Sequence, residues 1–501
     1  MRVQIVGLSL LLAFSTLGCS SSNVIKLKNL GNDVNLHTDL QLDYFDDPDY
    51  ENVPQEARGK NENSYPVPVQ LSWTSEIIER TFTVEISETK DFSVVDSYQT
   101  NENSLDVYNL KVDTTYYWRV KGHRDISETA SFITSDVGFR NLYVPGMTNC
   151  RDIGGKDLKS GKRLVQGNIF RTGCADDITK EGIEAAKHLG WKTEIDLRQE
   201  STITSSPLGN NVRYFNYKCY YEGEYQNYVE RNCVPLREVF RLLADESSYP
   251  VFYHCQIGTD RTGFTTYLLL GLLGVPEETI YRDYLFSNFA TIGTYRKMTG
   301  SDINNVQLYY SAIDAFPGRT LQERCYNFLS SIGVTAYELD NIVRLNVEDY
   351  NEAEDVILAD DRPEIVAAKD FDLADGIEFG SYEGLRYVDL DEKKDLSIGA
   401  YFSLSDERDY ALYLYLYASH PSIKVNAALE ISLDSNLVET PASSFIALHY
   451  RATKGVFVAA RFAEFHLSAG DYEITVKNIA GTGNTNAYGV YLASVVLIPM
   501  L

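Results

Sequence analysis

The spacing of hydrophobic and polar positions changes along the chain, and each change predicts a different kind of structure. From about residue 64 to 136, apolar and polar residues alternate in short runs between turn residues: "VQLSWTS", "FTVEISE", "SVVDSYQT", "SLDVYNL", "TTYYWRVKG" and "ASFIT". A period of two is that of half-buried strands, and Trp73 and Trp118 can fill the core of a sandwich. From 137 to about 352 the rhythm differs. Short apolar runs, "KTEIDLR" (192–198) and "YPVFYHC" (249–255), read as strands. Between and after them, "TKEGIEAAKHLG" (179–190), "VPLREVFRLLADE" (234–246) and "RTGFTTYLLLGLLG" (261–274) read as helices. Gly190 and Gly274 stand where two of those helices should end. Strand and helix in alternation predict an α/β domain with a mostly parallel sheet. The acidic stretch "EDYNEAEDVILADDRPE" (348–364) marks a boundary, and strand runs such as "ALYLYLYAS", "SFIALHYRA" and "YGVYLASVVLI" follow it to the end. They fit roughly eight strands of a β-sandwich or jelly roll.

The N-terminus, "MRVQIVGLSLLLAFSTLGCSSSN", departs from all of these patterns. Arg2, an apolar run from Val3 to Phe14 and then small residues predict a signal peptide over 1–18. The apolar run is too short for a stable membrane span. "LGC" before "SSSN" resembles a bacterial lipoprotein cleavage site with Cys19 as the lipidated residue, although Thr16 stands where such sites usually carry Leu. The expectation is an exported lipoprotein on the outer membrane of a Gram-negative bacterium, facing the periplasm or the cell surface. Residues 19–62 are polar and acidic and read as a tether. The expected domains are then 63–136, 137–352 and 365–501.

Charge and cysteine content narrow the chemistry. The 501 residues include 45 Lys and Arg against 71 Asp and Glu, a net charge of −26. Such a surface repels nucleic acid, and no basic run offsets it. It also repels phosphorylated substrates at long range, so any phosphate site must be built from local groups. Aromatic residues are 12% of the chain, with 36 tyrosines, which suits β-rich modules and extracytoplasmic binding surfaces. Seven cysteines, at 19, 150, 174, 219, 233, 255 and 325, show no CxxC and no regular framework, so neither a structural metal nor a cofactor is expected. Cys219 and Cys233 could pair, and the sequence leaves this open.

The stretch "HCQIGTDRTG", His254 to Gly263, joins an apolar strand to an apolar helix. A strand, a glycine-bearing loop and a helix N-terminus together hold phosphate, because free backbone N–H groups and the positive end of the helix dipole converge there. Gly258 permits a tight turn, and Gly263 lets the first helical turn lie close. The amides of Gln256, Ile257, Gly258 and Thr259 can wrap a phosphoryl group as a nest. Cys255 lies beneath that nest, where a positive field favours its thiolate. A thiolate aimed at bound phosphorus is a nucleophile. Arg261 can clamp two phosphoryl oxygens. Thr262 can donate its hydroxyl to the sulfur, and His254 can order the loop and support the thiolate.

This Cys-x5-Arg spacing resembles the cysteine-dependent protein tyrosine phosphatase superfamily. Flanking blocks, in order, are similar to the bacterial tyrosine phosphatase family that also acts on phosphoinositides: "NCRDIGG" (149–155), "IFRTG" (169–173), "EIDLRQE" (194–200), "RDYLFSN" (282–288) and "FLSSIGVTAYEL" (328–339). The resemblance implies a phosphocysteine mechanism without metal, acting on phosphorylated protein or small phosphomonoesters. It brings Arg151, Asp152, Asp196 and Arg198 toward the site. It also makes Asp260 the favoured general acid, with Asp196 and Asp152 as alternatives. Thr259 stands where close relatives often have Lys, which lowers the expectation for phosphoinositides. Cys150 could form a reversible disulfide with Cys255 or be a small core residue.

Residues 64–136, with Leu110, Thr114 and Tyr116 at the spacing of a tyrosine corner, resemble a fibronectin type III domain. "FHLSAGDYEITV" resembles the late strands of carbohydrate-binding jelly rolls, which makes a glycan or cell-surface ligand one expectation for the last domain. Two rival readings remain at this stage. An inositol phosphate or lipid phosphatase would show a wide basic rim of Arg151, Lys156 and Arg198, whereas a deep aromatic slot would favour phosphotyrosine. A glycan-binding or adhesion protein would carry an inactive phosphatase core.

Overall fold

The computed structural model describes residues 25–76, 81–220, 228–299, 306–358, 361–390, 396–418, 429–438, 457–479 and 490–500. The expected signal peptide, Cys19 and the strand expected at 444–452 lie outside the described residues. The chain forms two compact units, one from residues up to 34, 69–107 and 114–134, the other from 35–68, 108–113 and 135–501.

The first unit is two antiparallel sheets. Ile25–Leu27, Val69–Ser75 and Ser104–Val107 make the first. The second has the order Asp96–Thr100, Phe82–Ser87, Thr115–Lys121, Ala130–Ile133. Alternation along Val69–Ser75 buries Val69, Leu71 and Trp73, and along Thr115–Lys121 it buries Tyr116, Trp118 and Val120. The two tryptophans thus fill the core as their spacing predicted. The expected start at 63 is corrected: the first strand comes from 25–27, pairing with 73–75, and residues 35–68 belong to the other unit.

Residues 19–62 were expected to be a solvated tether, and the structure corrects that for 35–62. Thr38 caps the helix Asp39–Asp46, with Gln41 returning the bond in a capping box. Tyr44 is fully buried, its ring 5.3 Å from that of Phe289, and Phe45 stacks on Phe286 at 5.3 Å. Gly59 N–H donates to Asn288 and Asn63 N–H to Phe289. The polar composition misled because a few aromatic residues, Tyr44 buried and Phe45 and Tyr50 partly buried, pack the segment against the core.

The centre of the second unit is a five-stranded sheet in the order Arg213–Cys219, Thr193–Arg198, Val251–His254, Ile169–Thr172, Arg151–Asp152. The first four strands are parallel and the last pair is antiparallel. Helices Lys180–His188, Cys233–Leu243 and Asp260–Leu272 fall where the pattern placed them, and Gly190 and Gly274 take positive φ just past two helix ends. Every residue of Asp260–Leu272 is buried. A helix apolar on all sides belongs inside a core, and Leu321–Ser331 packs beside it.

The chain ends in two facing antiparallel sheets. One has the order Glu378–Tyr382, Leu385–Asp389, Val490–Pro499, Arg408–Ala418, Val458–Leu467, with Glu364–Ala367 also paired to Val490–Pro499. The other has the order Asp372–Leu373, Ser397–Leu404, Gly470–Asn478, Leu429–Leu433, Asn436–Leu437. The run "LYLYLY" explains how the sandwich joins the α/β layers. Leu412, Leu414 and Leu416 enter the sandwich core with Ile398, Ile474 and Val476. Tyr415 and Tyr417, on the opposite face of the same strand, enter the core of the α/β region, and Tyr413 stacks on Phe316 at 5.1 Å. A period of two with both faces apolar is a strand buried on both sides.

Candidate active site

In open α/β sheets ligands bind beyond the carboxyl ends of the strands. His254 ends the central strand in register with Asp196 on one side and Thr172 on the other. Cys255 follows, and the loop Gln256–Thr259 leads into the buried helix.

The carbonyls of this loop are held back by donors outside it. His254 Nδ1 lies 3.0 Å from the Cys255 carbonyl. Cys174 N–H donates to Gln256 at 3.1 Å. Asn149 Nδ2 donates to Ile257 at 3.1 Å and to Gly258 at 3.0 Å, and Arg171 Nη2 donates to Gly258 at 2.7 Å. In a planar trans peptide the N–H points opposite to the C=O. The amides of Gln256, Ile257, Gly258 and Thr259 are therefore turned away from these donors, and none has an acceptor among the described residues. Consecutive unpaired amides at a helix N-terminus form an anion nest. Gly258 makes the turn possible: it has φ +69°, and a Cβ there would meet the Thr172 carbonyl oxygen at 2.4 Å.

Cys255 is buried. Burial alone would push its thiol up, but Arg261 and then the Thr262 side chain and amide overcome this and hold it below the ordinary value. Burial pushes the thiols of Cys150, Cys174 and Cys325 up, and that of Cys219 up to about 12. Reactive cysteines are distinguished from inert buried ones by this difference. None of the six described cysteines is in a disulfide, so Cys219 and Cys233 do not pair here. Cys150 packs in a separate apolar cluster with Phe170, Trp191 and Phe252, which fits the small-core-residue reading.

Arg261 donates through Nη1 and Nη2 to the two carboxylate oxygens of Glu200, each at 2.9 Å. Asp260 is held the same way by Arg296, whose Nε and Nη2 reach its two oxygens at 3.0 Å each. His254 Nε2 lies 2.9 Å from Glu194 Oε1, both side chains fully buried. Burial lowers the imidazole, but the Glu194 bond and charge and then Asp196 raise it above its ordinary value.

Some expected site residues lie elsewhere. Arg151 is fully buried below the loop, where it donates to Asn149 Oδ1 at 2.5 Å and to both carboxylate oxygens of Asp283. Asp152 accepts from Arg140, Gly154 N–H and Gly167 N–H, so it holds a turn rather than a substrate. Lys156 is buried on Asp283 at 3.2 Å. Arg198 is buried against Asp196 and Asp176, with Nη1 3.4 Å from Gln256 Oε1. The basic rim that would mark an inositol phosphate site does not form from these three cations, because each is folded inward onto carboxylates. Thr259 is also buried, its hydroxyl 3.4 Å from Asn149 Nδ2.

Sequence reasoning gave no role to Asn149, Arg171, Asp283, Glu194, Glu200 or Arg296. All but Arg296 lie within the recognised blocks, and Asn149 and Arg171 hold the loop through its carbonyls. Arg151, Lys156 and Arg171 share the single carboxylate of Asp283. Burial would raise that carboxyl, but the three cations hold it well below the carboxylate range. The base of the loop therefore carries an excess of buried positive charge within an acidic protein.

Residues 142–323 match the model of the tyrosine phosphatase family. Protein H16_A0669 of Cupriavidus necator, which bears a provisional tyrosine-protein phosphatase name, is 27% identical over 176 residues, 30% of this chain and 64% of its own. The chain covers less than two thirds of the length of the curated relatives it matches. Among solved structures, P. aeruginosa TpbA is 16% identical over 33% of this chain and 88% of its own, with a TM-score of 0.21. A family 35 carbohydrate binding module from Clostridium thermocellum is 15% identical over 27% of this chain and 97% of its own, with a TM-score of 0.21. The part of the chain that resembles the tyrosine phosphatase family is thus residues 142–323, which hold Cys255, Asp260 and Arg261.

Proposed function

We propose that the protein hydrolyses phosphomonoesters, phosphotyrosine in proteins foremost, through a phosphocysteine at Cys255. One observation carries this reading: a thiol held below its ordinary value lies at the mouth of an amide nest beside a buried arginine. In the first step Cys255 Sγ attacks phosphorus, the S–P bond forms and the P–O bond to the leaving group breaks. Asp260 gives its proton to the departing oxygen. The nest and Arg261 hold the equatorial oxygens as charge builds on them. In the second step water attacks phosphorus and passes a proton to Asp260. The S–P bond breaks, Thr262 supports the leaving thiolate, and phosphate departs. Among the three candidate acids, position favours Asp260. Asp152 is fully buried and taken up by Arg140 and two backbone amides, and Asp196 is bound to Arg198 and Tyr214. Asp260 begins the helix and its charge acts on Cys255, and to carry the acid's proton it has to leave its bidentate contact with Arg296.

The inward-facing Arg151, Lys156 and Arg198 weigh against inositol polyphosphates. The intact grouping of Cys255, Asp260 and Arg261 weighs against an inactive core. The first unit is read as a fibronectin type III-like spacer. The C-terminal sandwich is read as a jelly roll able to meet a glycan or cell-surface ligand, and Cys19 as the lipid anchor. The enzymatic reading is tested by phosphate release from a phosphotyrosine peptide beside a panel of inositol phosphates, with chelator present. Turnover of the peptide that disappears in Cys255→Ser is expected. Release that persists in that variant, or that requires an added metal, contradicts the reading.

A further inference from the structure

We propose that Glu194 is a positioning residue of the cysteine site: it fixes His254, keeps its ring cationic, and through it sets the reactivity of Cys255. This rests on the reading of Cys255 as nucleophile. Glu194 is the second residue of the strand Thr193–Arg198, where alternation sends Ile195 and Leu197 into one core and Glu194, Asp196 and Arg198 to the other face. On that other face Phe252 stacks with Trp191 at 4.4 Å between ring centroids. A carboxylate in such surroundings costs stability unless it is paired. Glu194 is fully buried, and its Oε2 has no hydrogen-bond partner among the described residues. Its partner is the imidazole, with Oε1 2.9 Å from His254 Nε2. The other ring nitrogen lies 3.0 Å from the Cys255 carbonyl. A chain of two short contacts thus runs from the carboxylate to the residue that bears the nucleophile.

The geometry also defines what else can act on the ring. From the same strand, Asp196 Oδ1 lies 3.9 Å from His254 Nδ1, and Asp196 is itself tied to Arg198 and to the Tyr214 hydroxyl. From the loop comes Cys255. On the other side, the in-register residue of Ile169–Thr172 is the uncharged Thr172. Phe252 stacks beside the ring at 6.0 Å. Asp196, shared with Arg198, adds its charge from 3.9 Å, and Glu194, bonded directly to the ring, is the nearer anion that keeps it protonated. With both nitrogens protonated, Nδ1 must donate to the Cys255 carbonyl. The Gln256 amide is then held toward the nest, and a positive charge is held one residue from the sulfur.

The test is alkylation of Cys255 by iodoacetamide across pH, followed by peptide mapping, in the wild type and in Glu194→Gln. The glutamine keeps the shape and a polar partner but removes the charge. The alkylation midpoint is expected to rise by about one pH unit, which is about tenfold less thiolate at a pH below both midpoints. An unchanged or lowered midpoint overturns the proposal. Should the variant not fold, the wild-type protein decides. Nitrogen NMR of the labelled histidines is expected to show His254 protonated on both ring nitrogens at neutral pH, and a neutral ring there overturns it. Neither readout needs turnover, so a failure of the phosphatase reading would be seen separately, in the absence of phosphate release.

Discussion

Arg261 and Glu200 face each other through two parallel hydrogen bonds of 2.9 Å, so the guanidinium at the mouth of the nest already grips a carboxylate. Arg261 is buried, while the Glu200 side chain is about half exposed, at 55%. The bidentate pair orients the arginine, but it presents to a second anion the same two nitrogens that phosphate would use. Glu200 should therefore act as a mobile competitor. Glu200→Gln is expected to bind inorganic phosphate or vanadate about three- to tenfold more tightly, measured as competitive inhibition. Weaker binding in the variant would make Glu200 an orienting residue only.

The loop's carbonyls need their anchors. Asn149 Nδ2 serves both Ile257 and Gly258. In Asn149→Ala two buried carbonyls lose a donor at a cost of about 1 kcal/mol each, and the amides lose their fixed aim. The expected result is a fall in kcat/KM of about a hundredfold, with a melting temperature only a few degrees lower. A variant with full activity would show that the nest does not depend on this anchor.

Beneath the loop, Asp283 is the shared counter-ion of Arg151, Lys156 and Arg171. Asp283→Asn leaves three buried cations without it and is expected to cost about 3–5 kcal/mol at neutral pH. The folded carboxyl lies below its unfolded value. Its contribution is thus complete above the unfolded carboxylate range, about pH 4, and is lost as pH falls below it. Denaturant midpoints of wild type and variant should therefore converge toward low pH. A gap that stays constant would contradict the assignment.

The parts of this architecture that were legible in the sequence are those governed by local rules. The parallel sheet, its helices and their glycine ends follow from period, capping and turn chemistry, and Cys255 and Arg261 from one spacing. Asn149, Arg171, Asp283 and Arg296 were hidden because they act across long sequence separations, from the far side of the loop. Arg151 and Lys156 misled for a related reason: sequence shows a cation, but not that a distant aspartate draws it inward. The 35–68 segment misled through its overall polarity, although Thr38 and Gln41 spell a capping box and Tyr44 and Phe45 sit on one turn of that helix. Glu194 could have been noticed, since a charge within a central parallel strand needs a buried partner.

Where the sandwich meets the α/β layers, Tyr415 is buried completely, and its hydroxyl has no hydrogen-bond partner among the described residues. Its ring therefore contributes by packing. Tyr415→Ala is expected to cost about 3–5 kcal/mol, whereas Tyr415→Phe, which removes only an unsatisfied hydroxyl, should lie within about 1 kcal/mol of wild type or above it. Chemical denaturation of both variants checks this. Equal stability of all three proteins would mean that the sandwich is loosely attached.

The central claim is that the Cys255 thiolate takes the phosphoryl group from substrate. Its most direct test is rapid acid quench of the wild-type protein during turnover of a phosphotyrosine peptide, followed by mass spectrometry of the peptide containing Cys255. The account predicts a phosphoryl group on Cys255, more of it in Asp260→Asn if the second step is slowed, and none in Cys255→Ser. Turnover with no phosphoryl group on that cysteine, or with one on another residue, would contradict it.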